Sequence, residues 1–328
     1  MRSSMSLTMD VFTREFRLRN FRLSYPNGRV FAESPWLPVS CVVGYRLLVT
    51  LYCASWIIYS VIRDNTWKWL IYLTDWSFLC VTTYFVCSTL TSLIYWAHHR
   101  GKRMDNESGH ACTPEEQTSS QRDPYSHTTR VTPESSDSGD GSQQEQYYDS
   151  YEDTEQIEAS AQAQDIDKSE IPLVVVTVDY CQTWYHKVTW LFYIIAANIA
   201  PVVTVVFWSL LYSGGAVHEI DIAFHAMNSV FMLIETCLSS IPVCLFHVVY
   251  AELYGIIYVI FTVVYWQSGG TDTNGEDHIY PLLDYGHKPY ITALAITVIA
   301  LVGLPLAQLW NFGMFTLRCH FNRMRSRQ

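Results

Sequence analysis

The chain has 328 residues, 49% hydrophobic and 16% charged, with 22 Tyr, 15 Phe and 11 Trp. Its net charge of −10 is uneven: residues 105–170 hold 17 acidic and 3 basic side chains, leaving the remainder weakly basic. An apolar chain broken by one acidic insert excludes an ordinary soluble globule, and the lack of a compact basic domain excludes nucleic-acid binding through a basic face.

In chain order, a basic arm (1–43) carrying Arg14, Arg17, Arg19, Arg22 and Arg29 comes first. A bilayer core takes about 20 mostly apolar helical residues, and six stretches qualify: 44–62, 70–96, 188–212, 222–246, 253–266 and 290–312. Pro242 is expected to end or kink the fourth, and the fifth is short unless it starts near His247, after a tight turn. Residues 44–97 thus hold two spans, 98–170 an acidic cytoplasmic loop, 171–315 a juxtamembrane segment and four spans, and 316–328 a basic tail. The loop is expected to be disordered, because so polar a stretch buries too little surface to offset its ordering entropy. Within it, Ser138 and Ser142 are candidate phosphoacceptors. The expected fold is an all-α, six-span polytopic bundle.

Lys and Arg set the orientation. With the N-terminus inside, 18 of them lie on the cytoplasmic side and only Arg63, Lys68 and Lys288 lie outside. The positive-inside rule therefore gives N-in and C-in, with Arg46 able to snorkel to the cytoplasmic face. No cleavable signal peptide is expected, since no apolar run precedes Gly44. No cysteine falls in an expected outer loop, so a disulfide framework is not expected, and Cys41 and Cys319 are candidates for palmitoylation.

Ionisable residues inside spans are costly and mark functional positions. His218, Asp221, His225, Asn228, Glu235 and Ser239 share an arc of about 100° on the fourth helix. Thr74, early in the second span, lies at a depth similar to His225, some ~8 Å below the outer boundary. A Thr hydroxyl beside a His has the chemistry of a nucleophile and its base, with Asp75, Asp221 or Asn228 as orienting groups. The bland alternative is that these groups only hydrogen-bond neighbouring helices. His218, Asp221 and His225 also have helical metal-ligand spacing, but no HExxH or CxxC occurs, so neither a metal nor a cofactor is expected.

The run Trp69-Leu70-Ile71-Tyr72-Leu73-Thr74-Asp75-Trp76 resembles the rolling stone-like family of multi-pass membrane proteins. So do His225-Ala226-Met227-Asn228-Ser229-Val230, His247-Val248-Val249-Tyr250 and Ile279-Tyr280-Pro281-Leu282-Leu283-Asp284. That resemblance implies a role of the myoblast-fusion type, in cell–cell fusion or adhesion, at the plasma membrane, with an internal membrane as the alternative location. The same landmarks are distantly similar to the androgen-induced, six-span threonine hydrolases, which cleave fatty acid esters of hydroxy fatty acids. By that similarity Thr74 would be nucleophile and His225 base, although Asn228 stands where that family has a second His. The expected partners are membrane lipids, with a lipid ester as the implied substrate, and no nucleic acid.

Overall fold

A computed structural model describes residues 18–110 and 180–326. The acidic insert from residue 111 on, with Ser138 and Ser142, and the juxtamembrane stretch 171–178 lie outside the described residues. Six helices are long and apolar enough to cross a bilayer: α1 Val39–Asp64, α2 Leu73–Arg100, α3 Trp184–Leu211, α4 Glu219–Leu238, α5 Leu245–Gln267 and α6 Pro289–Arg325. No strand occurs among the described residues, so the fold is all-α and the protein is a multi-pass membrane protein. Segments 65–72, 212–218 and 268–288 meet at one end of the bundle, the loop end. The N-terminal arm, segment 239–244 and the tail meet at the other, the terminal end.

Local chemistry explains the boundaries. α1 stops where Asn65 turns left-handed (φ 42°) and its N–H closes on the Val61 carbonyl at 3.1 Å. Thr66 then caps a short 3-10 turn, Trp67–Ile71, and the Trp69 indole donates to Ser60 Oγ at 2.7 Å, folding that turn back onto α1. α3 opens on a reciprocal cap, in which the Thr183 N–H and hydroxyl both meet His186 Nδ1 at 2.9 Å. The helix of α2 continues as far as His110, beyond the predicted end at Trp96.

The fourth span differs from expectation. It was predicted to run to Phe246, but α4 ends at Leu238 and residues 239–244 are unwound. Pro242 has no N–H for a helical bond and disfavours helix at Ile241, and Ser239 and Ser240 precede it. Non-helical backbone at this depth survives only where other groups satisfy it. Side chains do so here: Arg318 donates to the Thr236 and Ile241 carbonyls (2.8 and 2.7 Å), Trp190 to Pro242 O (3.0 Å) and Gln308 to Cys244 O (2.7 Å). The early stop also lengthens α5, which begins at Leu245 rather than Leu253.

Helix α3 is the hub, packing on α2, α4, α5 and α6. Its Trp190, Tyr193, Ala196 and Ala200 are buried, whereas α5 and α6 expose Ile256, Ile257, Leu294 and Leu301 to the surroundings. In a bilayer such faces gain nothing by hiding, so association rests on close packing and buried polar bonds. The arm closes the terminal end: Phe31 is fully buried between His186 and Trp190, and the Gly28 N–H donates to Tyr180 O at 2.8 Å. A Cβ on Gly28 would lie 3.0 Å from Cys181 O, His186 and Tyr180, so this close approach requires glycine. Cys41 is exposed, but Cys319 is buried, which removes it as an accessible acylation site.

Candidate functional site

Two polar sites are stacked along α4, separated by a π turn at Ala223–Met227. A π turn inserts one residue and rotates the helix beyond it by about 100°, so the single polar stripe read from an ideal helix divides in two. The deeper site is built on Glu235. Its Oε1 accepts from Arg46 Nη2 (2.6 Å), Arg46 Nε (3.2 Å) and the Tyr84 hydroxyl (2.7 Å). Arg46 also donates to Ser92 Oγ (2.6 Å) and the Phe31 carbonyl (2.8 Å), and it is fully buried. The predicted snorkelling of Arg46 is therefore overturned: a fixed acceptor set inside the bundle replaces the water its guanidinium would otherwise seek. This centre joins α1, α2, α4 and the arm, and none of its groups lines a cavity.

The shallower site is a cavity of about 470 Å³ at the loop end. Thr74, Asp75, Asp221 and His225 all line it, so four of the five predicted site residues share one space. Asn228 does not: its Oδ1 accepts from the Thr204 hydroxyl (3.2 Å) and the Ser229 N–H (2.6 Å), and it lines neither cavity. Downstream of the π turn its side chain points towards α3. The His225 ring lies flat on Phe207, centroids 3.5 Å apart and planes 2° from parallel, with no partner at Nδ1. Among the described residues no hydrogen bond joins the Thr74 hydroxyl to His225.

A second cavity, about 230 Å³, lies between α3, α5 and α6 with walls such as Val202, Val206, Ile256, Val259 and Ile299. Thr74, Phe207, Leu211 and Tyr280 line both cavities, so they form the seam between an apolar space and a polar one. Glu252 on α5 is an ionisable side chain in the apolar wall. Sequence reasoning gave neither residue a site role: Tyr280 stood only in the landmark 279–284, and Glu252 was not singled out. Tyr280 belongs to a loop with no helical period, and Glu252 lies outside the polar stripe of α4.

Segment 268–288 roofs the polar cavity and is pinned in place. Lys68 donates to Thr271 Oγ1 (2.8 Å) and the Asp272 carbonyl (2.7 Å), Tyr72 meets Thr273 (2.9 Å), and Tyr265 donates to Thr271 O (2.8 Å). Burial pushes the Tyr280 phenol up to about 12, although the Thr74 hydroxyl and nearby main chain favour its charged form. The His287 N–H, donating to Asp284 Oδ1 at 2.8 Å, holds that carboxyl below the usual carboxylate range. His218, Asp221 and His225 do not form a metal-sized cluster. The described residues whose ligand atoms do lie within 4.8 Å of one another are Asp277, Asp284 and His287, at the rim of the loop, where Asp277 and His287 are exposed.

Six apolar helices around a buried ion pair, with an apolar and a polar cavity meeting at one seam, define a polytopic membrane protein. Residues 173–327 match the family described as Protein rolling stone. The chain is also 30% identical over 143 residues to Protein rolling stone of Drosophila melanogaster, covering 42% of this chain and 50% of that protein. It thus spans about half the length of the curated relative it matches, and this multi-pass membrane protein is similar to the rolling stone family over residues 173–327. The family match includes His225 and the roof segment but not α1 or α2, so Thr74 lies outside it. No solved structure matches the chain.

Proposed function

We propose that this protein binds a single-chain lipid ester at the seam of its two cavities and hydrolyses it with Thr74 and His225. The observation that carries this reading is that Thr74 and Tyr280 line both the apolar and the polar cavity. An acyl chain in the apolar space and a polar part in the other would bring the ester group to Thr74. The Thr74 hydroxyl attacks the ester carbonyl while His225 accepts its proton and passes it to the departing alcohol. Water then cleaves the acyl-threonine, releasing the acid and restoring the hydroxyl. Catalytic hydrogen bonds are often long before substrate is seated, which accommodates the separate partners of Thr74 and His225. The purified protein should turn over a lipid ester and react with a fluorophosphonate probe; absence of both would overturn the assignment.

The apolar cavity gives a second readout. A Cβ on Gly255 meets nothing nearer than Leu304 Cδ1 at 4.0 Å, so a larger side chain there projects into free space rather than into a neighbour. Gly255→Leu should weaken long-chain amphiphiles about tenfold while sparing short-chain ones, as loss of a few buried methylenes requires. A chain-length series of competitive binding measurements checks this.

The orientation is proposed as N-in and C-in at the plasma membrane. Among the described residues, the exposed cysteines are Cys41 and Cys181, both at the terminal end. A membrane-impermeant maleimide applied to intact cells should therefore leave wild type unlabelled and label Thr273→Cys at the loop end. Labelled wild type would invert the topology.

Cell–cell fusion or adhesion is the second reading, favoured by the likeness to Protein rolling stone. The pinned loop-end segment 268–288 is the largest surface it could present to another cell. Mixing cells that express the protein on one side only, then on both, would test it; fusion or adhesion independent of expression would count against it.

A further inference from the structure

We propose that the polar cavity selects a positively charged head group, so that the substrate is an ammonium-bearing acyl ester. The ester part rests on the hydrolase reading above; the charge selectivity rests on the cavity itself. Five carboxyl groups line that cavity, and no lysine or arginine does. Two of them already serve the backbone: Asp221 accepts the His218 N–H at 3.0 Å, and Asp272 accepts those of Asn274 and Glu276 at 2.8 Å. Asp75 is different. It is only 8% exposed and lines the cavity, yet its carboxyl group has no hydrogen-bond partner among the described residues.

Ionising a buried carboxyl without a partner is costly, and a cation bound beside it offsets that cost. Asp64, exposed at the end of α1, lies on the same wall and adds to the negative field. Lys68 cannot answer it, because its ammonium is directed at Thr271 and the Asp272 carbonyl. Tyr72 and Tyr280 contribute aromatic surface, which suits an alkylammonium. A small metal ion is a poorer match, since the cluster with metal-sized spacing, Asp277, Asp284 and His287, does not line this cavity. An ester with a free carboxylate, such as a fatty acid ester of a hydroxy fatty acid, would bring its anion against like charges. The apolar cavity next door accounts for the single acyl chain.

The test is binding, which needs no turnover. The full chain in nanodiscs of neutral lipid would be titrated with the dodecyl ether of choline, with dodecyl diethylene glycol and with laurate. The expected order is choline ether tightest, by about tenfold or more over the neutral chain, with laurate weakest. Asp75→Asn should remove that preference. Asp64→Asn, at an exposed position that leaves folding intact, should reduce it several-fold. Equal affinity for the three probes, or displacement of the choline ether by micromolar zinc or calcium, would overturn the proposal. A choline ether that binds tightly while no ester is turned over would sink the hydrolase reading and leave the charge selectivity standing. Ester turnover without head-group preference would do the reverse.

Discussion

Glu235→Ala is expected to destabilise the bundle by about 3–5 kcal/mol, the cost of stranding a buried guanidinium by deleting its partner. Glu235 Oε1 accepts from Arg46 at 2.6 Å and from Tyr84 at 2.7 Å, with both ionic partners nearly free of exposure. Arg318, also buried, donates to the Thr236 and Ile241 carbonyls and keeps those acceptors when Glu235 is lost, so the cost falls on Arg46. Arg46→Lys should fail to restore stability, because one ammonium cannot reproduce the fork that reaches Glu235, Ser92 and Phe31 O together. The double replacement Arg46→Met with Glu235→Leu should recover most of the loss, since a buried pair exchanged for apolar volume is often neutral. Thermal unfolding of wild type, Arg46→Met, Glu235→Leu and the double variant in one detergent forms the double-mutant cycle. A single-variant loss below about 1 kcal/mol would place the pair in contact with water instead.

The sequence showed the spans well and the sites only in part, and the division has physical causes. Spans are set by composition, which is local, so six were found with ends displaced by a few residues in most cases. The large error, at residues 239–244, arose because unwound backbone is licensed by distant donors such as Arg318 and Gln308. No window around Pro242 contains those residues. Arg46 was misplaced for a related reason: snorkelling is the default for an isolated helix, and only the folded bundle supplies Glu235, Ser92 and Phe31 O as acceptors. The polar stripe was legible because its residues lie on one helix. Its split into a cavity and an ion-pair centre was not, because a π turn leaves no mark in hydrophobic periodicity. Asn228, three residues after His225, went with the wrong half for that reason. Depth matching did place Thr74 and His225 around one cavity, whereas Tyr280 reaches the seam from a loop whose position no period encodes.

Thr74→Ala should lower ester turnover by about four orders of magnitude, the usual scale for removing a nucleophile that carries the acyl intermediate. His225→Ala should cost about 10²–10⁴-fold, the usual contribution of a positioned base. Because the two act as one unit, the double variant should be no worse than Thr74→Ala alone. Thr74→Ser keeps the hydroxyl and should retain much of the activity. Phe207→Ala should be an intermediate case: it removes the surface on which the imidazole lies flat at 3.5 Å, leaving the nucleophile intact. Its loss should therefore appear in kcat, as for a residue that positions the base, and also in KM, because Phe207 lines both cavities. The unfolding temperature separates this set from Glu235→Ala, because none of the three sites belongs to the buried ion pair. If His225 only packs α4 against α3, His225→Ala would lower the unfolding temperature and leave fluorophosphonate labelling of Thr74 unchanged. If it is the base, labelling falls while the bundle stays folded.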